Sequence, residues 1–180
     1  MLYRAPNSAS GVQFHPFIAG RLCVATSQNF GVVGNGQLLV LQAGPGGFEL
    51  LTSYDTSDGA GRARGGEHAA GSVLTPLPAV ALDCAWCEEN ENVMVSASGD
   101  GCVKVWDVQA PAGRNPVRSM QEHTHEVSCV DWNAKATDRF LSASWDDSIK
   151  LWSLGAQTSL ATFARHQYCV YSVKWWGRSG

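Results

Sequence analysis

Short apolar runs alternate with polar turns along the whole chain, and none has the periodicity of a long amphipathic helix. Runs 127–132, 140–144, 149–152 and 160–163 are rich in β-branched and aromatic residues and read as strands. Successive strand side chains face opposite ways, so Ile149 and Leu151 share one surface and Lys150 and Trp152 the other. Asp146-Asp147-Ser148 and Gly99-Asp100-Gly101 have the composition of tight turns between strands. The first part obeys the same rule. Runs 21–26, 37–42 and 48–54 are predicted strands, with turns at Asn35-Gly36 and Gly44-Pro45-Gly46-Gly47. The glycine-rich stretch 31–36 has the wrong order for a dinucleotide fingerprint and precedes no helix, so it reads as a hairpin turn.

The pattern repeats. Residues 95–107 match residues 141–153 position by position at an offset of 46, and Trp86 and Trp132 share that offset. His123 and Trp132 recur as His166 and Trp175 at an offset of 43. A period of about 40–45 residues with His…Trp and Ser…Asp…Trp-Asp landmarks marks a four-stranded propeller blade of the WD40 type. The expected fold is all-β, an incomplete WD40 β-propeller of about two blades plus the first strand of a third. Residues 1–59 read as a divergent first blade, 81–165 as WD40 repeats and 166–180 as the start of a next blade. Residues 60–80, biased to Gly, Ala, Arg and Pro, read as an irregular insertion, because such connections are normally a few residues long.

Composition narrows the function classes. The chain is 44% hydrophobic and 16% charged with a net charge of -3, which is globular and implies neither a nucleic-acid footprint nor an acidic tail. Six widely spaced cysteines without a secretory signal argue against a disulfide framework and for a reducing cytosol. The uncharged stretch 22–48 is broken by polar residues and glycines, so no direct membrane insertion is expected.

The most specific constellation is His123, Ser142, Asp146 and Trp152. In such a blade a carboxylate accepts from imidazole, the imidazole faces the serine hydroxyl, and the serine reaches the indole N–H. The competing reading is a Ser-His-Asp hydrolase triad, but the repeat already supplies a structural reason for these residues. The preceding blade keeps Ser96, Asp100 and Trp106 without a matching histidine. Cys84 and Cys87 have redox C-x-x-C spacing, yet they lie on a predicted strand, where residues three apart point to opposite faces. His123, His125 and Cys129 do not make a convergent zinc set, since His123 has a structural task. No catalytic, metal or cofactor residue is therefore expected. Asp58, Glu126 and Trp145 lie in connections that open on one face of a propeller. Together they suit a basic amphipathic peptide, and a large aromatic at a turn often marks a contact site.

Phe14-His15-Pro16-Phe17, Gly20-Arg21-Leu22-Cys23-Val24-Ala25-Thr26 and Gly34-Asn35-Gly36-Gln37-Leu38-Leu39-Val40-Leu41 resemble the opening of the peroxin-7 family. These are the WD40-repeat receptors for the type-2 peroxisomal targeting signal. Ser53-Tyr54-Asp55, Asp58-Gly59, Glu122-His123, Glu126-Val127 and Ser144-Trp145-Asp146 continue the likeness, which covers residues 12–175 apart from 60–80. The resemblance implies a seven-bladed parent propeller that captures peroxisomal enzymes in the cytoplasm by an N-terminal nonapeptide, basic near its start, and cycles to the peroxisome matrix. It also implies a co-receptor and a docking complex as partners, and a peptide-facing role for Asp58, Glu126 and Trp145. The alternative is a generic WD40 scaffold for complex assembly. About two blades cannot close a ring, so the chain reads as a truncated form, unable to act as a receptor by itself.

Overall fold

The computed structural model describes residues 3–28, 35–56, 79–111 and 113–176. Among the described residues the strands are β1 (Ser8–Phe14), β2 (Arg21–Ser27), β3 (Gly36–Gly44), β4 (Gly47–Asp55), β5 (Ala81–Trp86), β6 (Val93–Ser98), β7 (Cys102–Asp107), β8 (Arg118–Gln121), β9 (Val127–Trp132), β10 (Arg139–Ser144), β11 (Ile149–Ser153) and β12 (Ala161–Phe163). They form three antiparallel four-stranded sheets in simple order, β1–β4, β5–β8 and β9–β12.

The all-β repeat architecture stands, with one correction. Three four-stranded sheets are present, not about two with an extra strand. Two strands lack the pattern that reveals a strand in sequence. In β1 the large apolar residues are Val12 and Phe14, both exposed, and β8 offers only Met120 to the core. The 31–36 hairpin, apart from Asn35 and Gly36, lies outside the described residues, as do Asp58 and all but the last two residues of 60–80.

The first sheet is the same repeat in different residues. After each first strand, one side chain accepts two backbone N–H groups and turns the chain. His15 Nδ1 accepts from Phe17 and Ile18, Cys87 Sγ from Glu89 and Asn90, and Asn133 Oδ1 from Lys135 and Ala136. Each first strand also shifts register at its second or third residue, around Ser10, Leu82 and Ser128, as a β-bulge does.

Apolar seams join the sheets. Cys23, Ala25, Leu38 and Val40 pack on Cys84, Trp86, Met94 and Trp106. In the next seam Val95, Ala97, Val103 and Val105 pack on Val130, Trp132, Phe140 and Trp152. Each large side chain buried this way stabilises by roughly 1.5–3 kcal/mol. Polar latches run along the inner strands. Ser10 Oγ donates to Ala81 O at 2.8 Å, and Gln13 accepts from the Trp86 N–H. Ser128 Oγ donates to Val170 O at 2.6 Å, and Asp131 accepts from the Trp175 N–H at 2.7 Å. Residues 170–175 thus lie along β9 as β5 lies along β1. No helix among the described residues is long and apolar enough to cross a membrane.

Candidate peptide-binding face

The four residues of the predicted network come together in the third sheet. His123 Nδ1 lies 2.8 Å from Asp146 Oδ2 and its Nε2 lies 2.7 Å from Ser142 Oγ, while Trp152 Nε1–H donates to Ser142 Oγ at 2.8 Å. The carboxylate fixes the tautomer. Nδ1–H donates to Asp146, so Nε2 accepts from the serine hydroxyl. Asp146 also accepts from the backbone N–H of Thr124 and Ser148. Burial alone would raise its pKa, but hydrogen bonds from Ser148 and His123 outweigh burial and hold it down at about 2. Burial lowers the His123 pKa more than Asp146 raises it, so the imidazole is held neutral. Ser142 is fully buried, and its oxygen already accepts from an indole. A substrate carbonyl has no route to it, and the group acts as a clamp on the β10–β11 turn.

The other sheets solve the same position differently. In the second sheet Trp106 Nε1–H donates to Ser96 Oγ at 2.9 Å. The fully buried Lys104 pairs with Asp100 at 2.8 Å and donates to Thr56 O at 2.9 Å. Lys150, its counterpart 46 residues on, donates instead to Glu122 and Thr162. Where His123 occupies the aspartate, the lysine turns to a neighbouring carboxylate. In the first sheet the register puts Val24 and Leu39 where the others have Ser and Lys, with Leu22 and Leu41 beside them, so the polar group is absent. Sequence reasoning missed the Lys104 substitution, although Lys104 and Lys150 hold the same repeat position.

The two thiols of the C-x-x-C spacing have separate surroundings. The Cys84 thiol sits 3.1 Å from Cys23 Sγ between the first two sheets. Contact with Cys23 and burial push its pKa well up. Cys87 lies just past the strand end in its turn, and burial raises its pKa. Among the described residues no three His, Cys, Asp or Glu side chains could hold a metal ion.

Glu126 and Trp145 meet where the β8–β9 and β10–β11 connections open. The Trp145 N–H donates to Glu126 O at 3.0 Å, as the Gly99 N–H donates to Val80 O at 2.9 Å one repeat earlier. Trp145 thus takes the place of a glycine, and it is 41% exposed. One aromatic residue missed in sequence, Tyr171, joins this face. Tyr171 packs edge-on to Trp145 with ring centroids 6.0 Å apart at 67°, and Tyr168 lies exposed nearby in the chain. The recurrence of His123…Trp132 as His166…Trp175 was the available signal, since it places 171 in the register of the bulge residue Ser128.

The family described as "WD domain, G-beta repeat" matches residues 79–107 and 114–153. The chain is 40% identical over 161 residues to "Peroxisome biogenesis protein 7" of Arabidopsis thaliana, covering 88% of this chain and 44% of that protein. It is 41% identical over 142 residues to the "Peroxisomal targeting signal 2 receptor" of Dictyostelium discoideum, covering 79% of this chain and 38% of the relative. The Homo sapiens protein of the same name is 35% identical over 164 residues, with 91% and 44% covered. This chain is a WD40-repeat homologue of these receptors. It spans less than half the length of the curated relatives it matches. Among the described residues the receptor homologue aligns its divergent first sheet with the two recognisable repeats through the shared turn at His15, Cys87 and Asn133.

Proposed function

We propose that this chain is part of a receptor for the type-2 peroxisomal targeting signal, which holds the signal peptides of peroxisomal enzymes on the face carrying Glu126 and Trp145. The carrying observation is similarity to proteins with that name over 79–91% of the chain. The geometry agrees with it. A half-exposed indole stands on a turn where the neighbouring repeat has only Gly99, so the turn itself does not need it. Glu126 supplies a carboxylate beside it for a basic peptide, and Asp58 would extend the acidic surface from the preceding connection. No bond is made or broken in this function. The receptor would work in the cytoplasm, cycle to the peroxisome matrix, and deliver cargo with a co-receptor at a docking complex.

Fluorescence anisotropy of a labelled type-2 signal peptide against the full-length receptor that carries this chain tests this reading. Glu126→Lys should weaken binding by about two- to ten-fold at low salt, because exposed ion pairs contribute ~0.2–1 kcal/mol and reversal adds repulsion. Trp145→Ala should cost more, roughly 1–2 kcal/mol, as for a buried aromatic anchor. Equal affinity for a scrambled peptide, or no effect of Glu126→Lys, would return the chain to a general WD40 scaffold.

A further inference from the structure

We propose that Cys23 and Cys84 are a site of covalent modification, oxidised by a water-sized peroxide to a disulfide that ties the first sheet to the second. This does not rest on the receptor reading. Cys23 lies on β2 and Cys84 on β5, and their sulfurs meet across the seam at 3.1 Å. Among the described residues this is the one sulfur–sulfur contact, and both thiols are free. A disulfide bond is about 2.05 Å long, so the sulfurs need to close by only about 1 Å. Packing does not explain the pair. Phe14 pairs with Leu22 as Trp86 pairs with Met94, so Val95 holds in the second sheet the place of Cys23 in the first. Val130, 46 residues on, holds that of Cys84. Both valines are buried in the second seam, so two apolar side chains suffice at these places.

The approach of the two sheets is fixed on both sides of Cys84. Ser10 Oγ donates to Ala81 O at 2.8 Å, and Gln13 accepts from the Trp86 N–H. Gly11 lets β1 and β5 touch between these latches, since a Cβ there would lie 2.8 Å from Asp83 Cα. Cys84 is thus held against Cys23, and sulfurs already positioned react as an intramolecular pair. The Cys84 thiolate attacks one peroxide oxygen, the O–O bond breaks, and the departing hydroxide takes a proton to leave as water. The Cys23 sulfur then attacks the Cys84 sulfenic sulfur, the S–S bond forms, the S–O bond breaks, and a second water leaves. In all, the two thiols lose two electrons and two protons, and the peroxide is reduced to two waters. Contact with Cys23 and burial hold the Cys84 thiol protonated at neutral pH. The pair therefore rests as thiols and reacts when local opening of the seam admits the oxidant.

The test exposes the reduced chain to hydrogen peroxide without denaturant, alkylates the remaining thiols and digests the protein without reductant. Mass spectrometry should find the Cys23 and Cys84 peptides joined, two hydrogens lighter than their sum, and dithiothreitol should separate them. A cross-link closing a loop of this length should also raise the melting midpoint by about 5–15 °C, reversibly with dithiothreitol. Cys23→Val and Cys84→Val copy the valines of the second seam, so both should fold, stay unlinked and melt alike before and after peroxide. Linkage that forms only once urea is added would overturn the inference, because the folded seam would then not be what joins the sulfurs. So would Cys84 recovered as sulfinic or sulfonic acid beside a free Cys23, or an equal peroxide-induced shift in Cys84→Val. None of these outcomes bears on signal-peptide binding, so the receptor reading stands or falls separately.

Discussion

Ser142→Ala tests the buried clamp most directly. The hydroxyl sits between two side chains that water cannot reach: the His123 and Trp152 side chains are buried, and Ser142 itself is 0% exposed. Removing Oγ leaves Trp152 Nε1–H without its 2.8 Å acceptor and His123 Nε2 without its 2.7 Å donor. Each orphaned buried group costs about 1–3 kcal/mol, so the expected loss is about 3 kcal/mol, near the sum of two modest penalties. Ser96→Ala provides an internal scale. Among the described residues its hydroxyl accepts from one side chain, Trp106 Nε1–H, so about half the loss is expected. Urea denaturation followed by circular dichroism, with the midpoint and slope compared across wild type and both variants, gives the two values. If Ser142→Ala costs no more than Ser96→Ala, or less than about 0.5 kcal/mol, the hydrogen-bond chain does not carry the stability assigned to it.

Two further perturbations follow from the same geometry. Gly101 has φ 82°, and a Cβ there would lie 2.9 Å from His123 O. Gly101→Ala should therefore cost roughly 1–3 kcal/mol in thermal melts, whereas Asp147→Gly, at the matching left-handed position, should change stability by less than about 1 kcal/mol. Acid should weaken the fold in two stages. His123 is held neutral below its ordinary pKa, so the unfolded imidazole takes its proton first, and this stability is present above about pH 6.5 and lost as pH falls through the lowered folded value. The Asp146 contribution is present above about pH 4, its unfolded range, and is lost as pH falls toward about 2. Urea midpoints between pH 8 and pH 3 should fall below pH 6.5. A midpoint that stays flat from pH 7 to pH 5 would contradict the neutral buried imidazole.

The repeat was legible where residues are copied. An offset of 46 put Ser96 over Ser142, Asp100 over Asp146 and Trp106 over Trp152, and the polar chain of the third sheet follows from donor and acceptor counting. The first sheet was less legible because its equivalence lies in a role. An imidazole, a thiol and a carboxamide each accept two backbone N–H groups after the first strand, and no substitution pattern links His15, Cys87 and Asn133. Strand β1 was hidden because its first four residues, Ser8, Ala9, Ser10 and Gly11, are small and carry no alternation of apolar and polar side chains. The Lys104 ion pair was hidden for a different reason. A lysine reads as a solvated strand residue until the absence of a histidine leaves the half-buried Asp100 carboxylate for it. Tyr171 meets Trp145 only after the chain has turned through β11 and β12, so local pattern says nothing of that contact.

The clamp and the proposed binding face belong to one turn, which gives the polar group a reason beyond stability. Asp146 is held by His123, by the Thr124 N–H from the incoming connection and by the Ser148 N–H within its own turn. Trp145, its immediate neighbour, is held at its own N–H by Glu126 O. The backbone that presents the indole is therefore tied to β8–β9 on one side and to the buried Ser142–Trp152 pair below. An aromatic anchor on a free loop would lose conformational entropy on binding, of order 0.5–1.5 kcal/mol for each side chain immobilised, and a pinned turn has already lost much of it. In the first sheet, where Val24 and Leu39 replace the polar pair, the same position contributes apolar packing instead. The polar clamp thus coincides with the sheet whose turn carries an exposed indole, as expected if rigidity of that turn is what the proposed peptide-binding face requires.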